Sequence, residues 1–324
     1  MWFGPPKSCH AWQAAAGFSL SLLLGGSLAC TNKAPQPDPL EQKLTPEQKA
    51  AFEDYKVEME VGRNMAGRLL GYYGSIDDAK LLGYLNQVGS YVASYGDYPD
   101  RRYMFAILKH ESVNAFACPG GYILVTMGAL RHANNEAELA AVLGHEVAHV
   151  GKRHMYDALK KMKQKDIEEA ALKKRQATES DPILQLRQRP EPLDSSAAGA
   201  RLATYLTGKA GAGLSIMAAA AAGMNMLTEK GLDKELEYEA DHEGVKYAIR
   251  AGYEPRAMIS FLKRLEENNA KKVKNLEKTH PPIKERREQI GKLLLTLKAE
   301  DIIGASGDER FKKVKLKFPK PEAT

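Results

Sequence analysis

Residues 140–154 read AAVLGHEVAHVGKRH, which sets three imidazoles and a carboxyl into a run otherwise built from Ala, Val and Leu. An α-helix turns by about 100° per residue, so His145 and His149, four residues apart, project from one face and can grip a single cation. Glu146 lies about 100° round from His145, beside the metal and not on it, where it can take a proton from the attacking water. That division of labour is what metal-assisted peptide hydrolysis needs. His154 is five residues past His149, about 140° off the shared face, and joins the metal only if the helix breaks before it. The metzincin pattern also fails on register, because Gly151 and His154 each stand one position short of it.

A third ligand is sought in ELEYEAD, where Glu237 and Asp241 are four apart on a strongly helical segment and point one way. Glu237 is assigned to the metal, and Asp241 to the outer ring nitrogen of one ligand histidine. Two histidines, one glutamate and a water complete a tetrahedral catalytic site, with one Zn2+ per chain. Neither motif suffices alone: H-E-x-x-H arises by chance, and an i, i+4 carboxylate pair is commonly a solvated helix face. Their coincidence on two amphipathic segments of one chain carries the zinc reading.

Those segments need a scaffold. Two helices are expected from Thr45 to about Tyr95, the first opening on Thr45 and Pro46 and the second following Gly74. Two strands, RYMFAILKH and GYILVTMG, flank ESVNAFACPG, whose Pro119, Gly120 and Gly121 mark a turn. Asn134 or Asn135 caps the helix carrying His145. Residues 157–196 are mixed in charge and read as a mobile segment, and 197–227 as an Ala- and Gly-rich helix. Its uncharged stretch from Ala210 to Leu227 touches the lower bound for a membrane span, but Ala and Gly contribute little transfer free energy, which favours a closely packed core helix. Helical periodicity then runs through KELEYEADHEGVKYAIRAG, EPRAMISFLKRLEENNAKKV and THPPIKERREQIGKLLLTL, and 300–324 is read as a C-terminal tail or strand. No internal repeat is visible.

The chain has 324 residues and a formal charge of +6, with basic and acidic residues interleaved and no recognition motif, which argues against a nucleic-acid partner. At the N-terminus, AWQAAAGFSLSLLLGGSLAC has the length of a signal-peptide core, so residues 1–30 are expected to leave the fold. The ending GSLAC resembles the lipobox of bacterial lipoproteins, with Cys30 as the acylated residue and Ser27 where Leu is usual. A plain secretory cut near Ala29 is the alternative. Only Cys118 lies in the body, so no intrachain disulfide framework is available. Residues 31–44 are Pro-rich and polar and read as a tether. A periplasmic body lipid-anchored to the outer membrane is the expected arrangement.

AELAAVLGHEVAHVGKRH, ELEYEADHEGVKYAIRAGYEPRAM, NAFACPGGYILVTMGAL and THPP together resemble the zinc metallopeptidase family that includes HtpX and the CAAX prenyl endopeptidase, with its soluble periplasmic branch of BepA and LoiP. The resemblance covers about residues 50–295 and rests on four motifs in order. It implies an α+β, mostly helical fold: a zincin-type metalloprotease domain over 45–299 with a small β-sheet beside the H-E-x-x-H helix. It implies zinc ligands at His145, His149 and Glu237, with Glu146 as general base and Asp241 supporting the ligands, in agreement with the residue-level assignment. Gly120, Gly121, Tyr122, Ile123, Leu124 and Val125 look like the family's substrate edge strand, an ordinary core strand being the alternative. His280, in KTHPP, matches a position that in some members closes onto the zinc as a fourth, inhibitory ligand; a solvent-facing histidine before two turn-forming prolines is the alternative. For the oxyanion donor, Tyr122, Tyr247 and His280 stay open.

No multiple apolar spans and no repeat domain accompany the body, which argues against prenylated-peptide processing and recruitment by repeats. The expected function is a zinc metalloendopeptidase of the cell envelope acting on unfolded polypeptides, misfolded or misassembled envelope proteins among them. An assembly factor or chaperone with repressed proteolysis is the competing reading. Glu146 argues against a third, in which zinc only staples helices, since a structural site needs no base.

Overall fold

In the computed structural model the described residues are 44–162, 216–268 and 270–320. The expected signal segment, all but the last residue of the tether, the charged stretch beyond residue 162 and the start of the Ala- and Gly-rich segment lie outside them. Helix α1 (Pro46–Tyr73) starts at the predicted proline and buries Val57, Val61, Met65 and Leu69, one residue per turn. Helix α2 (Ala79–Ala93) is capped by Asp78, whose Oδ1 accepts from the Lys80 and Leu81 amides.

Three strands follow: β1 (Met104–Leu108), β2 (Ala115–Cys118) and β3 (Tyr122–Thr126). Their order is β1-β3-β2, with β3 parallel to β1 and antiparallel to β2. This overturns the assignment of residues 120–125 as the substrate edge. Tyr122, Ile123, Leu124 and Val125 lie in the central strand, whose backbone is paired on both sides, and Gly120 and Gly121 sit in the 3-10 turn before it. Among the described residues, the edge on the β2 side pairs with no further strand, and it belongs to a strand hidden in what the sequence presents as a turn region.

Strand side chains alternate between faces, and the sheet divides the core accordingly. Phe105, Ile107, Ala115, Ala117, Ile123 and Val125 face one apolar cluster; Leu108, Phe116, Cys118 and Leu124 face another, with α1. The first cluster is filled by α2, by α4 (Glu136–Gly151) and by the later helices α7 (Lys234–Arg250), α8 (Ala257–Asn268) and α10 (Ile283–Thr296). Between them run α3 (Met127–His132), α5 (His154–Lys161), α6 (Ile216–Asn225) and α9 (Ala270–Leu276). In α6, Ala219, Ala220 and Ala222 are buried in the second cluster, and among the described residues no helix is long and apolar enough to cross a membrane.

Within the expected tail or strand over 300–324, the described residues, up to 320, hold a helix and not a strand. A 3-10 turn (Ala299–Asp301) leads to helix α11 (Asp308–Lys315), whose Phe311 is fully buried. The polar composition of DERFKKVK conceals a single aromatic anchor and Arg310, which pairs with the buried Glu136 carboxylate.

Candidate active site

Helices α4 and α7 cross at backbone contact through two glycines. A Cβ on Gly144 would lie 2.6 Å from the Gly244 carbonyl oxygen, and one on Gly244 would lie 2.4 Å from the His145 nitrogen. Only glycine permits this approach, and the approach carries Glu237 to the histidine face of α4. One ligand atom from each of His145, His149 and Glu237 lies within 4.8 Å of the others, all three residues being buried.

The His145 and His149 Nε2 atoms are 3.1 Å apart. Glu237 Oε2 is 3.6 Å from His145 Nε2, and Glu237 Oε1 is 3.5 Å from His149 Nε2. His145 Nδ1 faces Asp241 Oδ1 at 2.9 Å, so the neutral ring keeps its proton there and leaves Nε2 free to ligate. Two lone pairs turned inward at this separation would repel unless a cation or a second proton on His145 lay between them, and Glu237 Oε2 is buried with no hydrogen-bond partner. A buried carboxylate oxygen left unpaired is costly, and a shared divalent cation removes both conflicts. Two imidazoles and one carboxylate form the donor set of a catalytic zinc site, so the residues present fit that ion.

The surroundings set the charges. Arg286 donates to Asp241 through Nε at 2.8 Å and Nη2 at 2.6 Å. Burial alone would raise the Asp241 carboxyl, but Arg286 and His145 hold it well below its usual range. Burial likewise opposes ionisation of Glu237, yet His280, His149 and His145 keep it a carboxylate. Burial works against protonation of His145, but Asp241 and Glu237 raise it to about 9. Burial pushes His149 well below its ordinary value, reinforced by His145, His154 and His280. Burial pushes Glu146 up to about 7, close to where a general base is effective.

His280 belongs to the cluster: its Nε2 lies 3.6 Å from Glu237 Oε2, and its Nδ1 faces the Thr279 hydroxyl and the Leu276 carbonyl. Two small cavities, each of about 30 Å3, share Ala115, Glu146 and His280 in their walls. Ala117 lines the second, so β2 is the strand that borders the site. Of the three oxyanion candidates only His280 lines a cavity; Tyr122 packs against the α1 cluster, and Tyr247 is in the other core cluster, beside Gly96.

Arg286 is not legible in the sequence, because an Arg four residues after PP in a helix of mixed charge cannot be told from a solvated position. Nor does helical spacing give His154 a role, whereas the structure sets its Nδ1 3.0 Å from His149 Nδ1.

A family model described as Peptidase family M48 matches residues 80–294. The beta-barrel assembly-enhancing protease of Escherichia coli K12 is 28% identical over 217 residues, covering 64% of this chain and 37% of that protein. Its Yersinia pestis counterpart is 29% identical over 211 residues, with the same coverage of each chain. The mitochondrial metalloendopeptidase OMA1 of Arabidopsis thaliana is 42% identical over 55 residues, 17% of this chain and 11% of that one. The chain thus spans just over a third of the length of the curated assembly-enhancing proteases it matches. With the metal-ligand geometry and the family match spanning the same residues, the chain belongs to peptidase family M48, a family of metallopeptidases with a zincin-like fold.

Proposed function

We propose that this chain is a zinc-dependent endopeptidase of the bacterial cell envelope that degrades misfolded or misassembled envelope proteins. The carrying observation is the convergence of His145 and His149 from α4 with Glu237 from α7, beside a buried Glu146 that lines both flanking cavities. His145, His149 and Glu237 hold the zinc, which supplies Lewis-acid polarisation of the scissile carbonyl. Glu146, once ionised, takes a proton from the attacking water and delivers it to the leaving amine nitrogen. The free edge of β2 pairs with the backbone of an extended substrate, which gives affinity with little side-chain selectivity and suits unfolded chains. The N-terminal apolar run ending at Cys30, and relatives named for β-barrel assembly, support the envelope location and a lipid anchor.

Casein degradation by the full chain is expected to vanish with a chelator and with Glu146→Gln, while the variant keeps one zinc. An equally active Gln variant ends this mechanism. Labelling with radioactive palmitate, lost in Cys30→Ser, tests the anchor.

The competing reading, an assembly factor with repressed proteolysis, draws on His280, whose Nε2 faces Glu237 as a fourth ligand would. It expects His280→Ala to raise basal proteolysis and Glu146→Gln still to complement an envelope-stress phenotype.

A further inference from the structure

Helical register keeps His154 off the His145–His149 face unless the helix breaks, and the helix does break. Helix α4 ends at Gly151, Arg153 adopts the left-handed conformation at φ 58° and ψ 27°, and α5 begins at His154. Arg153 is pinned there by ion pairs to Asp54 and Glu58 of α1, the latter at 2.9 Å. The kink turns His154 back toward the site: its ring centroid lies 5.0 Å from that of His149. His154 Nδ1 is 3.0 Å from His149 Nδ1, and His154 Nε2 is 3.2 Å from Glu239 Oε2. His154 is 4% exposed, whereas the Glu239 side chain is 44% exposed and also faces Lys152 at 3.5 Å.

The proton positions along this chain follow from one condition. If His149 Nε2 offers its lone pair to a metal, its proton must be on Nδ1. The contact with His154 then works in one direction only, with His149 Nδ1–H donating and His154 Nδ1 accepting. A neutral His154 that accepts at Nδ1 carries its proton on Nε2, where the Glu239 carboxylate accepts it. No group along the line is left with a clash of donors or of acceptors.

We propose that His154 is a positioning residue for the metal centre, and that with Glu239 it fixes the tautomer and orientation of His149. The inference rests on the reading of His149 as a zinc ligand. The two ligand histidines are held by different devices. His145 is held by the buried Asp241–Arg286 pair, whereas His149 is held by a neutral imidazole whose hydrogen-bond line ends at a surface carboxylate. An imidazole serves as acceptor without adding a further buried negative charge beside Glu146, Glu237 and Asp241, and a buried charge without its own partner is costly.

The test uses the full chain, stripped of metal and titrated with zinc against a competing chelator, with circular dichroism of the metal-free forms. His154→Phe keeps the ring bulk and removes the acceptor; it is expected to weaken zinc binding by about 10–100-fold, as outer hydrogen-bond partners of ligand histidines generally do. His154→Asn places Oδ1 where Nδ1 stood and is expected to restore affinity close to the parent. The cobalt-substituted His154→Phe protein should also show an altered visible absorption spectrum, reporting changed ligand geometry. Zinc affinity in His154→Phe equal to the parent, or His154→Asn as weak as His154→Phe, overturns the proposal. Should His154→Phe fail to fold, the half-exposed Glu239 supplies the test: Glu239→Ala is expected to weaken zinc by a smaller factor that Glu239→Gln recovers, and an unchanged Glu239→Ala affinity overturns it. A folded parent that takes up no zinc refutes the metal site itself. A parent that binds one zinc, with both variants unchanged, refutes only the positioning role.

Discussion

At the residue scale, the site works by placing charges that burial would otherwise suppress. Glu146 is the clearest case, because burial holds its carboxyl at about 7, and the base must be ionised to accept a proton. The sign follows directly: above about 7 the carboxylate is present, and below it the protonated fraction grows. A divalent cation held beside this carboxyl opposes the upward shift, so the acid limb of kcat/KM, measured on a fluorogenic peptide, is expected to fall tenfold per pH unit with a midpoint no higher than about 7. A midpoint clearly above 7 removes Glu146 from the role of base. The two histidines, the base and Glu237 were legible because i, i+4 spacing on a helix fixes relative direction locally. Arg286 was not, since nothing local distinguishes an arginine bound to a buried aspartate from one in water.

At the element scale, the decisive contact is the crossing of α4 and α7. Gly144→Ala or Gly244→Ala must push the helices apart, since each Cβ would meet backbone atoms at 2.6 Å or less. Either variant is expected to lose stoichiometric zinc before it loses helical content, as followed by metal analysis beside circular dichroism. A second link ties α7 to α10 through Asp241 and Arg286. Arg286→Met takes the guanidinium from a buried aspartate that then keeps only His145, and should cost about 3–5 kcal/mol in denaturant unfolding. Because the Asp241 carboxyl is depressed in the folded state, the stability it contributes is complete above its ordinary value of 3.8 and is lost as the pH falls below that. Arg286→Met should therefore flatten the acid limb of the stability curve, and an unaltered limb would show that the pair does not supply it. The expected helices of the body were recovered because their apolar period and their Asp78 and Asn135 caps are local signals. Strand β2 was hidden because four residues, AFAC, beside Pro-Gly-Gly carry a stronger turn signal than strand signal.

At the scale of the whole molecule, the sheet separates two apolar clusters, and the site lies where α4, α7 and β2 meet. The C-terminal helix closes the first cluster by inserting Phe311, while Arg310 pairs with Glu136 beneath it. Phe311→Ala is expected to cost about 3–5 kcal/mol by thermal or denaturant unfolding. A variant as stable as the parent would mean that α11 is peripheral. Glu136 also accepts from the Tyr84 and Tyr253 hydroxyls at 2.7 and 2.8 Å, so one buried carboxylate joins α2, α4, the loop after α7 and α11.

The types of the proposed ligands, their pairing by helical period and the choice of Glu146 as the proposed base could be read from the sequence alone, because they depend on the turn of one helix. Tertiary structure decided which strand is central among the described residues, which groups face His145 and His149, and that Phe311 belongs to the core. Those outcomes depend on which distant segments meet. A strand becomes central or edge by the partners it finds, and a surface-like Arg, His or Phe becomes structural only once another element buries it.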